Sequence, residues 1–358
     1  MSYLGMIPAA NLLGFAGQEF AKKMPKVAGI LIETTFGSIV EIILFVVLIV
    51  QHKKHSEDAG EGGGNGDEGN LIPIIQAAIL GSILTNLLLC LGLCFFAGGI
   101  RQTTQKFHAI ISETGSGILL VAAFGLLIPS AFYSALKGET TTEVKAGLRI
   151  LHEKFTQGTL ERDILHISRI TSIVLIVAFG CYLWYQASSQ HSVFDEVIEQ
   201  DEHRDLDRHH DAAKMRYTGT ETYASPFSSI LLLEDVPANN ISRSIAIALS
   251  IALVTWLLII LVSRIEDVVE SGTPDQFLGL ILLPLVEKAA EHLTAIDEAW
   301  DGVINVALYH CLAPSVQTAL FNAPLVVLVG WALGKPMDLN FEIFMYVQGA
   351  PLIPIPFH

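Results

Sequence analysis

Charge is scarce in this chain. Only 16% of its 358 residues are Asp, Glu, Lys or Arg, against 51% hydrophobic, and the mean hydropathy is +0.51. That poverty of charge excludes an ordinary soluble domain and points to an all-α polytopic membrane protein. Cysteine is equally rare. Its four copies, Cys90, Cys94, Cys181 and Cys311, all fall inside apolar runs and read as small buried hydrophobes. No N-terminal stretch has the charged, apolar and small-residue order of a cleavable signal, so insertion is expected to rely on the spans themselves. No nucleophile–base pair or cofactor motif occurs in those spans, which argues against a membrane enzyme. With a net charge of −15, no nucleic-acid partner is expected, nor is any cofactor.

What is there is a set of long apolar stretches. A span needs about 20 mostly apolar residues. Residues 26–50, 71–99, 107–136, 166–188, 241–263, 277–297 and 303–333 qualify, with a weaker stretch at 3–17. Three polar segments separate them. Residues 51–70 form a Gly- and acid-rich loop with no pattern that can pack. Residues 137–165 carry mixed charge and room for an amphipathic helix. Residues 189–240 hold an acidic segment (Asp195, Glu196, Glu199, Asp201, Glu202, Asp205), whose partial apolar stripe predicts a surface helix. His203, His209 and His210 lie in the same segment. A zinc- or proton-sensing role and a plain solvated loop are both open for them.

Against this background two acids stand out. Glu41 and Glu291 sit within apolar stretches, and an ionisable group at membrane depth is a functional candidate by default because it is costly to bury there. Each is followed by a helix opening on small polar residues. Gly81, Ser82 and Asn86 follow Glu41, and Ser315 and Gln317 follow Glu291. The pattern reads as an internal repeat built around an ion site. From Glu41 to Gly81 is 40 positions and from Glu291 to Ala313 is 22. The difference of 18 nearly equals the Gly-rich loop, so removing that loop brings the halves into register.

The parts suit a hard cation. Gly37 and Ser38 loosen the helix one turn before Glu41, and Ser82 and Asn86 present oxygens on one helix face. Calcium takes roughly six to eight oxygen ligands, and two carboxylates balance its charge. When the ion leaves, two bare carboxylates at membrane depth cannot both stay ionised, so protons must replace it. Such a pair accepts either the cation or protons, which is the minimal chemistry of an antiporter.

Thr34-Thr35-Phe36-Gly37-Ser38-Ile39-Val40-Glu41, Gly81-Ser82-Ile83-Leu84-Thr85-Asn86 and Ala289-Ala290-Glu291-His292-Leu293-Thr294 resemble the alpha repeats of vacuolar calcium/proton exchangers, of the cation/calcium exchanger superfamily, and fungal members most closely. The resemblance covers roughly residues 7–340. It implies an inverted-repeat exchanger fold in the vacuolar membrane, with Ca2+ and protons as its ions and the bilayer as its surroundings. It also implies that Glu41 and Glu291 bind the metal, that Ser82, Asn86, His292, Ser315 and Gln317 support them, and that the acidic segment is regulatory and cytosolic. The expected divisions are a first membrane half at 1–188 with its repeat at 26–99, the loop at 189–240, a second half at 241–340 with its repeat at 277–333, and a tail at 341–358. By that count the second half is incomplete. Side assignment is weak. Lys22, Lys23, Lys26, Arg101 and Lys106 share a side with the acidic segment, but Lys137, Lys145, Arg149, Lys154 and Arg162 lie opposite.

The family pattern before each glutamate is Gly-Asn-Ala-x-Glu. Ser38 stands for the first Asn, and Glu287-Lys288 replaces Gly-Asn in the second repeat. Lys288 puts a cation within a turn of Glu291, where it competes with a metal ion. Ala313-Pro314-Ser315 further adds a rigid residue where a close-approach Gly is expected. A degenerate, non-transporting paralogue or fragment is therefore the alternative reading.

Overall fold

The computed structural model describes residues 38–50, 72–105, 107, 109–141, 157–188 and 277–341, with six positions between 252 and 260. The acidic segment, Gly37, the 51–70 loop and the stretch at 3–17 lie outside the described residues. Among the described residues every regular element is helical. Helix α1 is Ser38–Val50 and α2 is Ile72–Arg101. Helices α3 (Ala109–Thr141) and α4 (Gln157–Ser188) follow. The second half contributes α5 (Leu278–Glu287), α6 (Ala289–Trp300) and α7 (Ile304–Ala332).

Four of these, within α2, α3, α4 and α7, are long and apolar enough to cross a membrane. At 1.5 Å per residue the 30 residues of α2 span about 45 Å, more than the ~30 Å hydrocarbon layer. The distribution of polarity agrees. Leu88, Phe96, Ile100, Phe124, Val177 and Trp184 face outward, while Glu41, Ser82, Asn86, Ser172 and Asn322 are buried. An apolar exterior around a polar interior is the arrangement that lipid favours, since lipid cannot satisfy polar groups.

Helix α1 sits at the centre. Its Leu44, Phe45 and Leu48 are fully buried and pack with Ile75 and Ile79 of α2, Leu283 of α5 and Val327 of α7. Because lipid tails are as apolar as leucine, helices here associate through close packing rather than through water exclusion. The crossing of α2 and α5 shows the requirement. A Cβ at Gly81 would overlap the backbone carbonyl of Leu280, so any larger residue forces these helices apart.

Helices α6 and α7 join through a tight turn. Gly302 takes φ +86° there, while Val303 N–H bonds the Glu298 carbonyl at 2.9 Å and Gly302 N–H bonds that of Ala299 at 3.2 Å. This is the glycine-terminated helix end that satisfies the last carbonyls. The Arg101 guanidinium ties the end of α2 to the same turn through Asp301, at 3.2 Å.

After α7 the chain re-enters the bundle as an extended strip. Leu339 N–H bonds Ser168 Oγ at 3.1 Å, and Ser130 Oγ donates to the Leu339 carbonyl at 3.1 Å. Phe341 N–H bonds Ser130 Oγ at 2.9 Å. Met337, Leu339 and Phe341 are buried, and Asn340 between the last two is buried with them. The two serines supply the partners that an irregular backbone needs inside a membrane bundle.

Candidate functional site

The expected span at 277–297 is interrupted. It forms α5 and α6, and the chain bends at Lys288, with φ −94° and ψ 2°. Lysine favours helix over glycine by less than about 1 kcal/mol, so propensity gives only weak resistance to the bend. A buried ammonium without a counter-charge costs far more. The bend is small, since Lys288 N–H still reaches the Pro284 carbonyl at 2.9 Å and its own carbonyl accepts from His292 N–H at 2.9 Å.

The Lys288 ammonium, 1% exposed, lies 3.5 Å from Glu41 Oε2 and 3.4 Å from Glu291 Oε2. Two acids 250 positions apart therefore converge on one cation, and that cation is part of the chain. Glu41 is 0% exposed. Its carboxylate also accepts from Thr318 Oγ1 at 2.9 Å and from Asn322 Nδ2 at 2.9 Å. Glu291, in the first turn of α6, is 31% exposed and has Lys288 as its ion-pair partner. A carboxylate in that first turn is also favoured by the helix dipole.

Glu287, the last residue of α5, adds a third carboxylate, which like Glu41 is buried. It is 5% exposed, its Oε1 has no hydrogen-bond partner, and it interacts electrostatically with Glu41, Lys288 and Glu291. With all groups ionised, three carboxylates and one ammonium leave a net charge of −2. A bare pair of glutamates has the same charge. The Glu287-Lys288 substitution thus brings in a cation together with its own counter-charge.

Neutral polar groups surround this cluster. His292 Nε2 and Asn86 Oδ1 are 2.8 Å apart, which links α6 to α2. Ser82 Oγ, Asn86 Nδ2 and Asn322 Oδ1 are buried without a hydrogen-bond partner. Buried polar atoms are nearly always partnered, so these orphans have capacity left for a ligand. Their chemistry suits a hard cation, with Asn322 Oδ1 an unspent oxygen on the amide that holds Glu41.

The two halves reach across to one another. Glu41 of the first repeat is held by α7 of the second, and His292, next to Glu291, is held by α2 of the first. Both receiving helices widen into a π-type turn, at Thr85–Cys90 and at Thr318–Asn322. Each widened turn starts three residues after a serine, Ser82 or Ser315. Such turns shift the register of the side chains that follow and often occur at functional sites.

The expected residues divide on inspection. Glu41, Glu291, Asn86 and His292 take part in the contacts just described. Ser38 and Ser82 are buried, and Gly81 sets the packing of α2 on α5. Ser315 and Gln317 are buried too, but Ser315 Oγ donates to the Cys311 carbonyl of its own helix at 2.9 Å. The hydroxyl and amide that reach Glu41 come from the next turns, Thr318 and Asn322. The serine spacing shared by the two helices is the signal that could have found Thr318. Asn322 has no counterpart at the same offset in the first repeat.

The sequence profile of the sodium/calcium exchanger protein family matches residues 1–188 and 244–353. Vacuolar cation/proton exchanger 2 of Oryza sativa subsp. japonica is 29% identical, covering 96% of this chain and 65% of that protein. Vacuolar cation/proton exchanger 5 of Arabidopsis thaliana is 30% identical, covering 96% and 65%. The vacuolar calcium ion transporter of Schizosaccharomyces pombe is 28% identical, covering 96% and 68%. The chain therefore spans about two thirds of the length of these relatives. Among solved structures, native YfkE superposes with a TM-score of 0.63 at 21% identity, covering 97% of this chain and 80% of that one. The H+/Ca2+ exchanger CAX gives a TM-score of 0.54 at 12% identity, covering 94% and 68%.

Proposed function

This chain belongs to the sodium/calcium exchanger protein family, and on that premise we propose that it is a Ca2+/H+ antiporter of the vacuolar membrane. The observation that carries the proposal is the convergence of Glu41 and Glu291 on a single cation, 3.5 and 3.4 Å away. The names of the relatives supply the ions and the membrane. The direction follows from an acidic lumen, since protons leaving it drive Ca2+ in.

Charge balance gives the mechanism. Ca2+ brings two positive charges to a cluster of net charge −2 and neutralises it. Two protons do the same. Either load makes the site electrically cheap to carry through a low-dielectric interior, whereas the unloaded cluster is expensive to move. The two loads exclude each other because they use the same oxygens. Lys288 holds the carboxylates together between loads and gives way when Ca2+ enters. Thr318 and Asn322 keep Glu41 oriented throughout, without cancelling its charge. On this reading residues 1–188 and 241–340 are the two membrane halves, with repeats at 26–99 and 277–333. The acidic segment at 189–240 is a cytosolic regulatory element.

A second reading is favoured by the same lysine. An ammonium tethered between both glutamates is also what a permanently occupied, non-transporting relative would contain. Purified protein in proteoliposomes with an acidic interior separates the two. Antiport predicts radiolabelled Ca2+ uptake that collapses when a protonophore dissipates the gradient. Folded protein that inserts but gives no gradient-dependent uptake would establish the non-transporting reading instead.

A further inference from the structure

One cluster has no part in the ion site. Cys90 and Cys94 lie one turn apart on α2, and folding brings Cys311 of α7 against them. The sequence alone offers no third thiol to that pair. In the fold, Cys311 Sγ is 3.4 Å from Cys90 Sγ and 3.9 Å from Cys94 Sγ, and all three sulfurs lie within 4.8 Å of one another. All three are free thiols and all are buried.

We propose that Cys90, Cys94 and Cys311 form a binding site for a soft, thiophilic d10 cation of the copper(I) class. The spacing supports this. A metal–sulfur bond of about 2.3 Å puts the sulfurs of a trigonal three-thiolate site ~4.0 Å apart. The separations of 3.4 and 3.9 Å fall just short of that value and the third lies within 4.8 Å, so coordination needs only sub-ångström adjustment. The surroundings choose the class of ion. Ile111, Ala295, Ala299, Ile304 and Leu308 belong to the same buried cluster as the sulfurs and give them a largely apolar shell. Hard cations such as Ca2+ are therefore poorly served, whereas thiolate ligands select soft ions. Zinc strongly prefers a fourth ligand in a structural site, and these three sulfurs offer none.

Low charge matters as well. The thiols must release protons to bind, and a monovalent ion is the least costly to accommodate in an apolar shell. The charged neighbours are Glu291, which interacts electrostatically with Cys90, and His310, which interacts with Cys94. His310 is itself paired with Glu298 at 2.7 Å. Occupancy would join the second helix of one repeat to the second helix of the other, a turn or so from Asn86 and Ser315.

The test does not depend on transport. Full-length protein is purified anaerobically in detergent, reduced, and titrated with Cu(I) against a colorimetric Cu(I) chelator. The expected result is one Cu(I) per chain, with X-ray absorption showing three sulfur neighbours. Cys311→Ser should lose this binding, whereas Cys181→Ser, at an exposed thiol, should keep it. Because Cys311→Ser can fail to fold, each variant is checked by gel filtration, and the wild-type absorption spectrum is decisive without any variant. Wild-type protein that binds no more Cu(I) than the Cys90→Ala/Cys94→Ala/Cys311→Ala protein would overturn the site. So would bound copper whose neighbours are nitrogen or oxygen. A Cys90–Cys311 disulfide in protein isolated without reductant, with no Cu(I) binding after reduction, would assign the pair to redox chemistry and overturn the metal site as well.

Discussion

The two glutamates come from equivalent places in the two repeats but are held in opposite ways. Glu41 is sealed from solvent, and besides Lys288 it has two neutral donors, Thr318 and Asn322, both at 2.9 Å. Glu291 is partly exposed and leans on the Lys288 ammonium, one turn away on its own segment. Neutral donors orient a carboxylate and leave its charge available. A tethered cation orients it by cancelling that charge. The second repeat therefore needs an extra acid to recover what the first never lost, and Glu287 is in place to supply it. The Glu287-Lys288 pair thus preserves the total charge of the cluster while changing which residues carry it.

The largest effect is expected where charge cannot be replaced. Glu41→Gln keeps the shape and the neutral donors but leaves the cluster one charge short. Breaking a buried charge constellation costs about 3–5 kcal/mol, so gradient-driven Ca2+ uptake should fall by at least about 100-fold. Uptake near the wild-type rate would mean that the sealed glutamate is structural.

The next effects sharpen the second half. Glu287→Gln removes the compensating acid, and Lys288→Met removes the cation it compensates. Each single change should reduce uptake by about 10- to 100-fold, less than the loss of a partner from a fully buried pair, because Glu291 in the same cluster is partly exposed and screens the change. The two should fail differently. Glu287→Gln weakens Ca2+ binding, measured as a raised half-saturating concentration. Lys288→Met leaves an excess of negative charge, measured as slow release of Ca2+ on acidification.

A smaller effect belongs to the neutral donors. Asn322→Ala deletes one hydrogen bond to a charged group while Thr318 still holds the carboxylate, a loss of about 1.5 kcal/mol, so Ca2+ affinity should drop by roughly tenfold while folding persists. The smallest is expected at Ser315. Its hydroxyl serves its own helix, so Ser315→Ala should change uptake by less than about twofold. A large loss there would show that the serine reaches the ion in another conformation.

Much of this arrangement was legible in the sequence. Apolar run lengths gave α2, α3, α4 and α7 to within several residues, since span length is fixed by bilayer thickness. The two acids within apolar runs marked the cluster because the cost of placing charge at membrane depth is steep enough to make any such residue conspicuous. What could not be read was which groups meet across the repeats. Asn322 looks like an ordinary polar residue in an apolar helix, Thr318 is marked only by its spacing from Ser315, and the widened turn that aims them has no reliable sequence signature. The bend at Lys288 was hidden for a related reason. Local propensity opposes it, and the attraction that favours it comes from Glu41, 247 positions earlier. Cys311 was likewise an isolated thiol until packing placed it beside the pair on α2.

The central claim is that Glu287 and Lys288 act as one electrically neutral insertion beside the two glutamates. Ca2+ uptake into acidified proteoliposomes by Glu287→Gln/Lys288→Met tests it most directly, because the double change restores the net charge of −2 that either single change disturbs. The claim predicts strong non-additivity, with the double variant transporting about tenfold or more faster than either single variant. A double variant no better than the worse single, in protein that folds and inserts normally, would contradict it.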